Sequence, residues 1–193
     1  MIKKIILLLL LTTGINFAND SNSIKGIYIT GDYAGKGRIK EILTECRNSG
    51  VNAFVIDLKT MEGFLSYPST IPLAQKIEAT KYYSIKDYQL LIEQLKEHDF
   101  YIIGRTTVFY DDLLSTKRQD LALYLNYIES NDTIIELIPW VNPENNEVIE
   151  YNLDIIKEAI AFGFHEIQLD YIRYPAVSGK ICDFTGTNIS FDK

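Results

Sequence analysis

Ten residues in the last quarter of the chain combine groups that could do chemistry: Glu166-Ile167-Gln168-Leu169-Asp170-Tyr171-Ile172-Arg173-Tyr174-Pro175. The stretch begins as an alternation, with Ile167, Leu169 and Tyr171 on one face of a strand and Glu166, Gln168 and Asp170 on the other. A carboxylate then stands at the strand end, an arginine follows three residues on, and Pro175 is expected to stop the strand. The same period-two rule puts Ala53, Val55, Asp57 and Lys59 on one face of an earlier strand, and Ile103, Arg105 and Thr107 on one face of another. If those faces turn inward together, Asp57, Arg105, Gln168 and Asp170 converge. Buried charge is costly unless paired, so such a cluster belongs to a site or to a satisfied network. Two carboxyl groups on either side of a bond, one acid and one base or nucleophile, are what cleavage of a glycosidic bond requires. Asp170 is the first candidate and Asp57 the second, with Arg105 and Arg173 as counter-charges. The simpler alternative is a strand-end salt bridge between Asp170 and Arg173. Tyr67, Tyr110, Trp140, Tyr171 and Tyr174 lie in or beside long loops, where flat rings could stack on sugars or merely pack.

The elements that would position these groups follow a regular order. Residues 24–30, 51–58, 101–108 and the opening stretch read as strands. Helical periodicity covers about Arg38 to Ser49, Ser84 to His98 (Ser84 as N-cap) and Asn146 to Phe162, with Gly50 and Gly163 as helix stops. Lys59 to Tyr83 and Leu113 to Glu144 read as long irregular segments. Strand–helix alternation implies a parallel sheet with right-handed crossovers, and long loops after the strands suit an α/β barrel enzyme. An open doubly wound sheet should carry a phosphate loop after its first strand. Gly31-Asp32-Tyr33-Ala34-Gly35-Lys36-Gly37 matches no nucleotide-binding pattern. Four strands are legible where a closed barrel needs eight, and the residues after Pro175 are polar and loop-like. The expected fold is therefore of the α/β, (β/α)8 TIM-barrel type, with only about the first four βα units present and the chain truncated after the fourth strand.

Composition narrows the setting. Met1-Ile2-Lys3-Lys4, the apolar run Ile5 to Leu11 and Ala18 before Asn19-Asp20 read as a secretory signal peptide over residues 1–18. The run falls short of the roughly 20 residues a membrane span requires, and no later stretch qualifies. Residues 19–193 then form one exported domain, with the net charge moving from −7 to −9 once Lys3 and Lys4 leave. That acidity argues against nucleic acid or an anionic membrane as partner. Cys46 and Cys182 are too few for a disulfide scaffold, and Cys46 is expected as a buried thiol. His98 and His165 fall at element ends, and no residue pattern signals a metal or an organic cofactor.

Several segments resemble the family of glycoside hydrolase-like domains found in exported bacterial proteins, which is assigned to the TIM-barrel glycosidases. They are residues 24–30, Asn52 to Lys59, Tyr101 to Phe109, Trp140 to Pro143, Tyr151 to Ile155 and Gly163 to Pro175. The resemblance implies a (β/α)8 fold, a poly- or oligosaccharide partner and catalysis by an acidic residue at the fourth strand's end, here Asp170. It also singles out Asp57, Lys59, Arg105, Gln168 and Arg173, and Tyr110 and Trp140 join them as candidate sugar contacts. The strands expected to bring the second catalytic carboxylate are absent. A secreted glycoside hydrolase, a non-catalytic carbohydrate-binding remnant and a truncated product without its own activity all stay open at this point.

Overall fold

The computed structural model describes residues 23–129, 132–176 and 181–183; the proposed signal segment lies outside them. In chain order the elements are β1 (Gly26–Ile29), α1 (Gly31–Gly35), α2 (Ile39–Asn48), β2 (Ala53–Lys59), α3 (Pro72–Lys76), α4 (Tyr88–Glu97), β3 (Tyr101–Thr107) and α5 (Asp112–Lys117). A 3-10 turn (Gln119–Leu121) leads to β4 (Ala122–Glu129), β5 (Asp132–Val141), α6 (Asn146–Phe162), β6 (Glu166–Asp170) and β7 (Ile181–Asp183). The four strands expected from the sequence form one parallel sheet in the order β1-β2-β3-β6. The fold is thus mixed α/β with a parallel sheet. Among the described residues the sheet does not close into a barrel, and β1 and β6 are its edges.

Alternation decides which side of the sheet is apolar. Phe54, Ile56 and Leu58 of β2 and Ile102 of β3 are fully buried and join the main core. That core also takes Ile39, Leu43 and Cys46 from α2, Ile92 and Leu95 from α4, and Val148, Ile155 and Ala159 from α6. Burying a Leu, Ile or Phe side chain contributes about 1.5–3 kcal/mol, so this face anchors the domain. The opposite face is left to Asp57 and Arg105. Cys46 is the buried free thiol expected, its ionisation pushed up by burial. The side chain of Cys182 lies outside the described residues.

Helix ends follow the capping chemistry of their residues, with one correction. The α4 cap is Asp87, whose carboxylate accepts from the Leu90 N–H at 2.9 Å, and not Ser84. Gly163 closes α6 at φ 94°, where its N–H satisfies the last carbonyls. His98 caps α4 as expected. His165 does a different job from helix capping: its Nδ1 accepts from the Ile102 N–H at 3.0 Å and its ring stacks on Tyr101. The segment Gly31–Gly35, expected as a loop, makes one helical turn capped by the Thr30 hydroxyl.

The two segments read as irregular are more ordered than expected. Residues 60–85 fold back on themselves, with Leu65 N–H donating to the Ala79 carbonyl and Ser84 and Ile85 N–H to the Ser66 carbonyl. Leu65, Tyr67, Ile71, Ala74, Ile77 and Ala79 are buried beneath them, which holds the loop down. The stretch 113–144 contains α5 and the antiparallel pair β4–β5, joined on one side by β7. Leu123 and Leu125 face Ile138 and Trp140 in a small second core. Their period-two spacing is present in the sequence.

Candidate active site

Asp57, Arg105 and Gln168 are register partners across β2, β3 and β6, and Asp170 lies two residues beyond Gln168 on the same face. Arg105 links the two carboxylates. Its Nη1 donates to Asp57 Oδ1 at 2.8 Å, while Nε and Nη2 donate to Asp170 Oδ2 at 3.1 and 2.7 Å. Burial pulls the Arg105 guanidinium down, but the hydrogen bonds to Asp57 and Asp170 outweigh it and hold the group above its ordinary value. Asp57 also accepts from the Tyr28 hydroxyl of β1. Burial and then this hydrogen bond push Tyr28 up to about 12. Charge-assisted bonds of this kind fix geometry as well as adding energy. Of the two carboxylates, Asp57 is the enclosed one, with 5% of its side chain exposed, and Asp170 the accessible one, with 39% exposed.

The backbone after Asp170 is strained. Tyr171 has φ 55°, a left-handed conformation uncommon outside glycine. That turn ends β6, five residues before Pro175, and correspondingly the expected strand continuation through Tyr171 does not form. It lets the Tyr171 N–H reach Asp170 Oδ1 at 2.8 Å, while Val108 N–H takes the Asp170 carbonyl at 2.9 Å. Asp170 is thereby held from both sides. Such strain persists where surrounding structure fixes it and concentrates at functional sites.

Lys59, Arg173 and Trp140 are placed differently from expectation, whereas Gln168 keeps its expected place. Lys59 leaves the Asp57 face because β2 bulges between Asp57 and Lys59, opposing Lys59 to Thr106. Its Nζ is fully buried against Asp111 Oδ2 and Asn152 Oδ1, both at 2.9 Å, behind the sheet. Arg173 does not pair with Asp170. It lies over Trp140 and Tyr171 at 5.1 and 5.7 Å and donates to the Tyr174 carbonyl. Trp140, 6% exposed, packs in the second core with Tyr110 and Tyr171 at its edges. Gln168 is exposed on the site face beside Arg105.

A cleft of about 560 Å³ opens beside this cluster, walled by Tyr28, Asp57, Thr60, Glu62, Phe64, Tyr82 and Arg105 among others. Its floor is drawn tight by Ser66, whose hydroxyl donates to the Asp57 carbonyl, and a side chain at Gly31 would collide with Ser66 Cβ at 2.5 Å. Tyr28, Glu62 and Tyr82 were not singled out from the sequence. Tyr28 was within reach of the period-two rule, since Gly26, Tyr28 and Thr30 alternate on one face of β1. Glu62 and Tyr82 carried no signal, because they come together only through the fold of their loop. Among the described residues no group of three or more His, Cys, Asp or Glu is gathered to hold a metal ion.

A family described as "Putative glycosyl hydrolase domain" matches residues 26–191. The chain belongs to this family. Its structure is similar to a hypothetical protein from Ruminiclostridium thermocellum, at 29% identity and a TM-score of 0.66, covering 83% of each chain. It is also similar in fold to the chitobiase of Flavobacterium johnsoniae, at 10% identity and a TM-score of 0.51, covering 76% of this chain and 23% of that one. A glycoside hydrolase family 20 β-N-acetylglucosaminidase gives 10% identity and a TM-score of 0.51, over 76% of this chain and 36% of the enzyme. The chain thus spans well under half the length of these two enzymes. No curated protein matches. At family level the domain is glycoside hydrolase-like, and Asp57, Arg105 and Asp170 form the polar cluster of its sheet.

Proposed function

We propose that the domain is exported by residues 1–18, binds a poly- or oligosaccharide and hydrolyses its O-glycosidic bonds, with the parallel sheet as the first four strands of a (β/α)8 barrel. The observation that carries this reading is the Arg105 bridge between Asp57 and Asp170 near the carboxyl ends of neighbouring parallel strands, where barrel enzymes place their reacting groups. A carboxylate bound by a guanidinium is an acceptor only, which suits Asp170 to the nucleophile or base role. With Asp170 as base, water gives a proton to its carboxylate as the water oxygen bonds to the anomeric carbon, and the leaving oxygen takes a proton from a second carboxyl group as the glycosidic bond breaks. Release of reducing ends from a panel of soluble polysaccharides tests the reading. Asp170→Asn is expected to lower release about 100-fold or more, and full release by that variant would remove Asp170 from the chemistry.

One observation favours a second, binding-only reading. Asp57 and Asp170 share a single guanidinium on one wall, whereas bond cleavage needs carboxyl groups on both sides of the bond. Retention of polysaccharide without release of reducing ends would select that reading.

A further inference from the structure

We propose that Tyr82 is the stacking platform of a pyranose-binding subsite in the cleft that Asp57 and Arg105 also line. The inference rests on the carbohydrate reading above and adds to it the residues that grip the sugar.

Tyr82 is 66% exposed, more than Met61 (37%) and Tyr83 (43%) of the same loop, in which Leu65, Tyr67, Ile71, Ala74, Ile77 and Ala79 are buried. Exposing a large ring on a well-anchored segment forgoes burial worth about 1.5–3 kcal/mol for a comparable side chain. The ring is nevertheless held in place. Phe64 meets it edge-on at 5.2 Å, and the Lys81 ammonium lies over it at 5.4 Å from the centroid. Segment 79–85 is laid against 65–66 by three backbone hydrogen bonds, so the platform is fixed relative to β2 and hence to Asp57. An ordered aromatic with a free face loses little entropy when a flat partner arrives.

The rest of the cleft supplies what a sugar needs besides a ring. Thr60 lines the cleft, with its hydroxyl oxygen enclosed and turned from solvent. The Glu62 carboxylate also lines the cleft and makes no ion pair among the described residues, so its oxygens are available as acceptors. Asp32 is not, because Lys36 holds it at 2.6 Å. One apolar face with hydroxyl-binding groups around it fits a pyranose, whose axial C–H groups and rim of hydroxyls have that distribution. A nucleotide would bring phosphate against Glu62 and Asp57, with Arg105 already engaged by two carboxylates.

Affinity electrophoresis of the whole chain in gels containing chitosan, cellulose ether, starch or xylan tests the subsite, with Tyr82→Ala and Tyr82→Phe run beside the wild type. Retardation by at least one polysaccharide is expected, weakened about tenfold or more by Tyr82→Ala and kept by Tyr82→Phe, which retains the ring. Tenfold corresponds to about 1.4 kcal/mol. The exposed position leaves folding intact, which matching circular dichroism melts of the three proteins will show. Unchanged retardation of Tyr82→Ala overturns the subsite and leaves the carbohydrate reading standing. Absence of retardation of the wild type by all four polysaccharides overturns both.

Discussion

Arg105 holds two carboxylates that would otherwise repel each other on one wall, and Tyr28 completes the shell of the more enclosed one. Arg105→Met leaves Asp57 nearly buried with only the Tyr28 hydroxyl, and the expected loss is about 1–3 kcal/mol, the cost of an unpaired buried polar group. Chemical denaturation of the two proteins measures it; an unchanged midpoint would mean that Asp57 is solvated after all. Tyr28 makes a prediction with a defined sign. Its phenol is raised to about 12 by burial and by Asp57, so the folded state favours the protonated ring. The contribution to stability is complete below the unfolded value of about 10 and is lost as the pH rises from there through 12. NMR titration of the Tyr28 ring should show ionisation near 12 in the wild type and lower in Asp57→Asn. Ionisation at the same pH in both would show that Asp57 has no part in it.

At the scale of elements, the bulge in β2 divides charges between two duties. Before it, Asp57 faces the site; after it, Lys59 turns behind the sheet to join Asp111, the N-cap of α5, and Asn152 of α6. That pair is fully enclosed, so removing one partner strands the other. Lys59→Met is expected to cost about 3–5 kcal/mol, with Lys59→Met/Asp111→Asn recovering part of it, since the amide keeps an acceptor for the Leu114 N–H. Thermal melts of the single and double variants decide this, and equal losses in both would locate the cost in packing rather than charge. The strained turn at Tyr171 is the matching device on β6, ending the strand where Asp170 must point into the site.

At the scale of the molecule, the helix-covered face of the sheet carries the apolar core and the other face the polar cluster. The export proposed for residues 1–18 has a direct test. Expression of the whole chain in a bacterial host is expected to deliver a product beginning at Asn19, read by N-terminal sequencing of the exported fraction; a product that stays in the cytoplasm with Met1 intact would refute the signal. The sequence by itself determined the four parallel strands, their order and the convergence of Asp57, Arg105 and Asp170, because period-two alternation and strand–helix alternation are local properties of the chain. It could not determine Lys59's turn to the back, which depends on one extra residue at a bulge, or Arg173's place over Trp140, which depends on where β6 ends. Nor could it bring Tyr28, Glu62 and Tyr82 to one cleft. Tyr28 belongs to β1 and Glu62 and Tyr82 to opposite ends of one loop, and only the packing of loop 60–85 onto β2 sets the distance between them.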